Sequence, residues 1–570
     1  MNSPPTKEFN THGVCVPTRH YCLPPAPRLP AALKLVDQEK YFSLRAPRQS
    51  GKTTLIQNLV NLINEEGRYY AFNCSLAPLW GLTDRQKALT ELAALINSAL
   101  AASPLTALKL KAYVYNSQPG SVSASSIVKT LLNGLCEDLT KDLVIFFDEV
   151  DSLAWSGLSP FLAQLKEGYQ SRHLPGLKFP RSLILVGQRD LEDCLAEAPA
   201  ETKSTDAPRP PLNVPTISLA LANFSFEDLS NLYGQHTAET GQVFTPEALT
   251  ATYNWSQGQP WLVNALARQV VDEVLNHDYE REITSAHFDE AAFALIDHHD
   301  APIQFLLERL KEPRVITVLD PLLVGSPRQV FLNDHDRGHC LSLGLMAQDS
   351  GGGLKFANPI TREVIFRLLA DQIQASLDNE YALIPWRNET TLLLSEILTN
   401  FQAYWRDKGA GVALKTDRLD LVASDILKKE LAQLLDAEIS NDLLYQYIIA
   451  RINDLLIREY DESLPALTLL AFLRKIIATG ARFLVDCHEG RGGIETRLFF
   501  EGGPYVMEIT RKPRSTLERS LDRLKASLTQ TNSKTGWLVI FDPDRALSWD
   551  EKIYNRTQTD GDLTFNVFGC

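Results

Sequence analysis

The chain has 570 residues, a formal net charge of −14 and an isoelectric point of about 5.4. Its 44% hydrophobic and 22% charged content is that of ordinary globular protein, and at ~150 residues per domain the length predicts about three to four domains. So acidic a chain is not a general nucleic-acid binder, because phosphate neutralisation takes Lys and Arg, although a local basic patch would still bind; nor does it hold a run of ~18 apolar residues to span a membrane.

Met1 to Lys7 is polar and Pro-bearing, without the basic stretch and apolar run of a secretory leader. The eight cysteines (Cys15, Cys22, Cys74, Cys136, Cys194, Cys340, Cys487, Cys570) are scattered and form no Cys-x-x-Cys pair, so reduced thiols in a cytoplasmic protein are expected. Cys15, His20 and Cys22 are the one local set with the flavour of a zinc site, but no second ligand pair follows at zinc spacing. Tyr21 either stacks on an adenine ring or packs inside the fold.

Tyr41 to Arg45 reads as a short strand, followed by a Gly-Lys-Thr-Thr turn and a helix with Leu55, Leu59 and Leu62 on one face. Further short apolar runs predict strands at Tyr69 to Cys74, Leu143 to Phe147, Ser182 to Val186 and Thr216 to Ala220, with amphipathic helices between them. Strands alternating with helices imply a parallel sheet covered on both faces, an α/β fold. Residues 197–215, rich in Pro, Ala and charge, read as an exposed loop. From about 223 to 290 the pattern is helical, with a Gly258-Gln259-Pro260-Trp261 turn. Residues 300–370 read as short helices, then Leu343-Gly344-Leu345, a Gly-rich turn at Gly351 to Gly353 and a strand near Leu354 to Phe356, the order of a winged helix. A second helical region over about 388 to 480 precedes mixed α/β sequence.

Residues Ala46-Pro47-Arg48-Gln49-Ser50-Gly51-Lys52-Thr53 fit the phosphate-loop pattern Gly-x-x-x-x-Gly-Lys-Ser/Thr, with Ala46 for the first glycine and Thr54 beginning the helix. Backbone N–H groups of such a loop and of the following helix point at phosphate. Gly51 lets the backbone approach, Lys52 reaches the β- and γ-phosphates of ATP, and the Thr53 hydroxyl helps hold Mg²⁺. Leu143 to Phe147 predicts a buried strand ending in Asp148 and Glu149 at the carboxyl edge of the sheet, where ligands bind in open α/β folds. Asp148 is the candidate for Mg²⁺ and Glu149 for the base that polarises water. Asp151 is expected as helix N-terminal charge. Gly187-Gln188-Arg189-Asp190 closes another strand and makes Gln188 the candidate γ-phosphate sensor; Arg189, Arg172 and Arg181 are candidate arginine fingers or surface salt-bridge partners.

With these residues together, the chain resembles the bacterial AAA-like P-loop ATPases that sit beside the STAND and archaeal-type ATPases. The likeness is carried by Phe9-Asn10-Thr11, His20-Tyr21, Pro24-Pro25, the loop Ala46 to Thr53, Gly168-Tyr169, Gly187 to Asp190, His236 to Gln242 and Gly258 to Asn264. It runs from about residue 9 to 570 and implies an ATPase core over 1–222, a helical lid over 223–298, a winged-helix-like domain over 299–372, and a helical region with a PD-(D/E)XK nuclease-like domain over 373–570. Ala471 to Leu473, Thr479-Gly480, Gly490-Arg491-Gly492, Val506 to Ile509, Leu517 to Leu528, Gly536 to Asp542 and Ser548 to Lys552 carry the last part.

A nuclease site of that family needs an Asp and then Glu-x-Lys, the acids holding Mg²⁺ and the Lys steadying the attacking water or developing charge. Here Glu495 stands at the Asp position, Glu508 at the Glu position and Thr510 at the Lys position, while a Gln and a Tyr usual in the next helix are Arg523 and Ser527. Lys512 shares a strand face with Glu508 and Thr510 if the strand continues past Pro513. The domain is therefore either a cleaving nuclease or a module kept for folding or binding. Arg511, Lys512, Arg514, Arg519, Arg523 and Lys525 form a basic run that would track DNA, or a solvated helix face with Glu518 and Asp522 as partners. The expected function is an ATPase switch that controls the C-terminal domain, with DNA, a protein partner or a homo-oligomer completing it and a role in defence against phage or mobile elements; an ATP-driven nuclease and a static ATP-binding scaffold are the alternatives.

Overall fold

The computed structural model describes residues 5–105, 125–189, 191, 194, 217–298, 309–310, 312–323, 334–349, 352–374, 377, 380, 383–409, 463–477, 481–487, 493–500, 503–511, 517–544 and 547–570. They divide into two compact units, Met1–Ala294 with Leu341–Gly344, and Leu295–Cys340 with Leu345–Cys570. Asp190, the 197–215 loop, Thr479-Gly480, Gly490-Arg491-Gly492, Lys512, Pro513, Arg514, Gly351 and most of the 388–480 helical region lie outside the described residues. Among the described residues no helix is long and apolar enough to cross a membrane.

The first unit is built on five parallel strands: β1 (Phe42–Arg45), β2 (Tyr70–Ser75), β3 (Leu143–Asp148), β4 (Ser182–Gly187) and β5 (Ile217–Ala220), in the order β2-β3-β4-β1-β5. All five predicted strands are present. The β3 run is apolar without alternation because both faces are covered. Val144 and Phe146 join one core with Phe42, Leu44, Ile56 and Leu59, while Ile145 and Phe147 join the opposite core with Leu92, Leu131 and Phe161. The first core is closed by α1 (Pro30–Asp37) and α2 (Lys52–Glu66), the second by α3 (Arg85–Ala101), α4 (Ile127–Asp138) and α5 (Trp155–Ser171). Four helices follow: α6 (Phe226–Thr240), α7 (Pro246–Ser256), α8 (Pro260–Arg268) and α9 (Ser285–His298). The chain enters α6 through a reciprocal cap, Ser225 accepting from the Asp228 N–H and Asp228 accepting from the Ser225 N–H.

The second unit opens with α10 (Pro313–Leu323) and α11 (Asp334–Ser342), then an antiparallel hairpin of β6 (Met346–Gln348) and β7 (Leu354–Phe356), then α12 (Pro359–Gln374). Helices α13 (Leu394–Tyr404) and α14 (Leu464–Ile477) precede a six-stranded sheet. Its strands are β8 (Arg482–Cys487), β9 (Ile494–Phe500), β10 (Gly503–Thr510), β11 (Thr535–Ile540), β12 (Tyr554–Asp560) and β13 (Leu563–Gly569), in the order β12-β13-β11-β10-β9-β8. β8, β9 and β10 form an antiparallel meander; β10 then pairs parallel with β11 after the crossover helix α15 (Leu517–Thr531). Leu524 and Leu528 of α15 pack on Val506, Leu538 and Val567. That packing sets which polar residues of α15 face the sheet.

Candidate functional site

The loop after β1 is fixed at both ends. The Ala46 N–H donates to the Gly187 carbonyl at 3.1 Å, and Lys52 opens α2. Between them the backbone turns through left-handed conformations at Gln49 (φ 62°) and Gly51 (φ 77°). Gly51 adopts this without cost, whereas for Gln49 it costs roughly 1–2 kcal/mol. The turn aims backbone N–H groups and a helix N-terminus at one point, an anion cradle. Two side chains fit an anion there. The Ser50 hydroxyl is buried with no hydrogen-bond partner among the described residues. Lys52, 9% exposed, forms no hydrogen bond or ion pair among them either. Its charge acts on Asp148, and it can turn to an anionic ligand without first breaking a hydrogen bond.

Two strands away, β3 delivers the acid pair. Asp148 is 2% exposed; its Oδ2 accepts from the Thr53 hydroxyl at 3.1 Å and its Oδ1 from the Glu149 N–H at 2.9 Å. Burial pushes the Asp148 carboxyl above its ordinary value, against the pull of Lys52 and the Thr53 hydroxyl and helped by the Glu149 charge. Glu149 leaves the strand in a left-handed turn (φ 59°), and its Oε2 accepts from the Ser75 hydroxyl at 2.7 Å. Ser75 ends β2, directly opposite Asp148 in the parallel register, and the sequence reading did not single it out. Gln188 follows β4, the strand between β1 and β3, so it stands at the same carboxyl edge between the loop and the acid pair. Its N–H donates to Asp151 Oδ2 at 3.2 Å. Asp151 thus braces this edge, and it also lies in the first turn of the short helix Val150–Ser152, the N-terminal charge expected of it.

The helices beyond β5 and the N-terminal segment both reach the loop. The Trp261 N–H at the start of α8 donates to the Gln49 carbonyl at 3.3 Å, the Trp261 indole N–H to the Thr11 carbonyl at 3.0 Å, and the Cys15 N–H to Thr54 Oγ1 at 3.0 Å. The Gly258-Gln259-Pro260-Trp261 turn needs its glycine: at φ +71° a Cβ would lie 2.0 Å from the Phe224 carbonyl oxygen. Tyr21 is buried on Phe9 and His236, and its hydroxyl donates to Glu239 at 2.9 Å, so it is a packing residue and not an adenine platform. His236 in turn bonds Gln242 at 2.9 Å, which explains the His236 to Gln242 motif as a buried lock. Cys15 and Cys22 form a disulfide, their Cα atoms 6.6 Å apart across the turn. That corrects the expectation of reduced thiols for these two and removes both from a zinc site; His20 Nδ1 accepts from the Val16 N–H.

Of the two readings of Arg172 and Arg181, the salt-bridge one fits: both pair with Glu39, and Arg181 also with Asp142. Arg181 immediately precedes β4 and bonds the Val36 carbonyl and the Asp142 carboxylate; Arg172 stacks on Tyr169 at 4.2 Å and reaches the Glu39 carbonyl. Both lie at the amino edge of the parallel sheet, away from the cradle. Arg189 follows β4 at the carboxyl edge and is itself engaged.

In the second unit, Glu508 of β10 pairs directly with Glu495 of β9, both buried, on one face of the sheet. Like charges so placed repel. Arg523 of α15 donates from Nε to Glu508 Oε1 at 2.8 Å and from its terminal nitrogen at 2.7 Å. Arg497 pairs with Glu495 Oε1, and the Ser527 hydroxyl donates to Glu495 Oε2. Thr510, at the Lys position, presents a buried hydroxyl with no hydrogen-bond partner among the described residues. Among the described residues no group of three or more His, Cys, Asp or Glu is gathered to hold a metal ion. The expected basic run is also thinned: Arg523 turns inward and Lys525 pairs with Asp560, leaving Arg519 exposed.

No protein-family model matches the chain, and no curated protein matches it. Among solved structures it is similar to a Walker-type ATPase of Pyrococcus abyssi (16% identity, TM-score 0.43), covering 63% of this chain and 99% of that one. It is also similar to the ORC1 protein of Aeropyrum pernix in complex with DNA (13% identity, TM-score 0.32, covering 63% and 95%). A third likeness is to the RuvB Holliday junction branch migration motor of Thermotoga maritima (15% identity, TM-score 0.31, covering 58% and 90%).

Proposed function

We propose that the first unit binds Mg·ATP at the carboxyl edge of its parallel sheet and hydrolyses it slowly, as a switch. The observation that carries this is the junction of the two motifs: the Thr53 hydroxyl of the phosphate loop lies 3.1 Å from the Asp148 carboxylate, with Glu149 next in the chain. The loop N–H groups, Ser50 and Lys52 would hold the phosphates; Thr53 and Asp148 would hold Mg²⁺, which screens the phosphate charge when bound. Glu149 accepts a proton from the attacking water once its bond to Ser75 opens. Gln188 stands where a γ-phosphate contact would report the nucleotide state, and Trp261 and Cys15 carry that state from the loop to α8 and the N-terminal segment. Loss of charge-assisted contacts to the γ-phosphate is the switching event.

In this reading residues 1–222 are the ATPase core and 223–298 the lid. The helices and hairpin of 299–372 support a winged-helix reading. Over 373–570, β10, α15 and β11 coincide with the strand, helix and strand on which the nuclease-like resemblance rests. The C-terminal half is the effector under nucleotide control, with DNA or a protein as its partner and defence against phage or mobile elements as the setting.

The test is phosphate release from ATP by wild type, Lys52→Ala and Glu149→Gln, with and without single- and double-stranded DNA, the DNA then run on a gel. Turnover lost in both variants supports the ATPase. Absence of turnover in wild type under every condition would leave a static nucleotide-binding scaffold and overturn the hydrolysis reading.

A further inference from the structure

A nuclease-like domain implies divalent metal between two acids, and the side chains around Glu495 and Glu508 can be asked whether they fit one. Mg²⁺ demands about six oxygen ligands in near-octahedral order and keeps several waters. Here at least three of the four carboxylate oxygens already accept from the protein itself: Glu508 Oε1 from Arg523, Glu495 Oε1 from Arg497, and Glu495 Oε2 from Ser527. The space above is also taken. A Cβ on Gly493 would stand 2.7 Å from Glu508 Oε1 and 3.0 Å from the Arg523 terminal nitrogen, so the chain entering β9 lies directly over the pair. Two carboxylates face two guanidiniums, and no excess negative charge is left for a divalent cation.

We infer that Arg523, Arg497 and Ser527 have replaced the metal, so that the two acids fasten α15 to the sheet and the C-terminal domain is a non-cleaving binding or structural module. The exchange is economical in helix geometry. Arg523 and Ser527 are four residues apart, hence on one face of α15, each over its own acid. They stand at the two helix positions where the nuclease-like resemblance calls for Gln and Tyr. What the sequence presents as two losses is one compensated substitution: an internal cation and a hydroxyl donor for an exchangeable metal.

The test uses the full chain without nucleotide, so the outcome is independent of ATP hydrolysis. Mn²⁺ binding is followed through the free-ion paramagnetic signal, and ATP is then added to the protein and to a protein-free blank, since ATP chelates Mn²⁺ by itself and only protein-bound Mn·ATP, retained with the chain on a desalting column, reports the phosphate loop. No nucleotide-free uptake at sub-millimolar Mn²⁺ is expected. Sub-millimolar uptake that Glu508→Gln abolishes would overturn the inference. Thermal unfolding of Glu508→Gln, Arg523→Met and the double variant supplies a readout that needs no metal. Each single variant should lower Tm, and the double should fall by clearly less than the sum. Strictly additive shifts would show that the two side chains do not hold one another and would equally overturn it.

Discussion

Each unit sets a pair of acids at a sheet, a buried Asp148 beside a half-buried Glu149 in the first and a buried Glu495 and Glu508 in the second, and the two pairs are neutralised in opposite ways. Around Asp148 and Glu149 the neighbours are exchangeable or incompletely engaged: an exposed Thr53, a Ser75 hydroxyl, and a Lys52 ammonium that acts on Asp148 through its charge without a hydrogen bond. Around Glu495 and Glu508 the neighbours are guanidiniums and a hydroxyl supplied by the fold. A buried charge must be compensated, and what compensates it tells its use. Compensation left to an incoming ligand makes a site; compensation from Arg side chains makes a joint.

The largest effect that would break this contrast is on turnover. Glu149→Gln removes the base but keeps the shape, so ATP binding should persist while hydrolysis falls by ~10²–10⁴-fold. Single-turnover phosphate release alongside nucleotide titration separates the two. Glu508→Gln should leave turnover in the first unit untouched. An equal loss in both variants would mean the acid pairs are not functionally different.

The next effect is on stability. Glu508→Ala strands the Arg523 guanidinium against a closed sheet, and breaking one partner of a buried ion pair costs about 3–5 kcal/mol. Replacing both partners, Glu508→Leu with Arg523→Met, should recover most of this, as apolar groups of similar volume often do. Urea unfolding of the second unit measures both. An undisturbed midpoint in Glu508→Ala would show that the pair is not the joint described.

Much of the first site was legible because its signals are local. A strand without alternation ending in Asp148-Glu149, and a loop between a strand and a helix, need only a dozen residues each. The choice between the two readings of Arg181 is legible too: a residue just before a parallel strand lies at the opposite edge from one just after it, and Arg181 immediately precedes β4 and pairs with Glu39 and Asp142. Ser75 was not legible, because its place beside Glu149 depends on β2 and β3 being neighbours in register, a tertiary fact. The Cys15–Cys22 bond likewise depends on the turn between them. In the second unit the strand that carries Glu508 is legible and the one that carries Glu495 is not, while Arg523 and Ser527 stand in the sequence only as departures from a motif. Their meaning depends on which face of α15 meets β10, and that is set by Leu524 and Leu528 packing on the sheet.

A further buried acid sharpens the comparison. Glu363 of α12 is fully buried, with Oε1 accepting from the Val485 N–H of β8 and Oε2 unbonded among the described residues. Burial pushes its carboxyl up to about 7, against Arg362, the Val485 N–H and Arg367 and with Asp486. The folded chain therefore holds a proton that the unfolded chain releases near pH ~4.3. Its contribution to stability is full below that value and is lost as pH rises through about 7, an effect of up to roughly 3 kcal/mol. Glu363→Gln keeps an acceptor for Val485 and does not titrate. Its urea midpoint should change less than that of wild type between mildly acidic and mildly alkaline buffer. Parallel pH profiles for the two proteins would show that this acid is compensated as fully as Glu508.

The smallest effect concerns Ser75, which places Glu149 between the two classes of acid. A hydroxyl donating to a carboxylate at 2.7 Å occupies one of its lone pairs and must be displaced before that oxygen can take a water proton. In that state Glu149 is a partly compensated acid, closer to Glu508 than a free base would be. Ser75→Ala removes the donor without touching the loop, Asp148 or the sheet register. Since a hydrogen bond to a charged group is worth about 1.5 kcal/mol, turnover should rise by up to about tenfold, with nucleotide affinity unchanged. The rise should vanish in a Ser75→Ala, Glu149→Gln double variant, because the hydroxyl acts only through that carboxylate. A fall in the single variant would mean that the bond orients the base toward water instead of holding it away. Ser75 would then belong to the catalytic geometry, and the first acid pair would owe its reactivity to the fold as well as to the ligand.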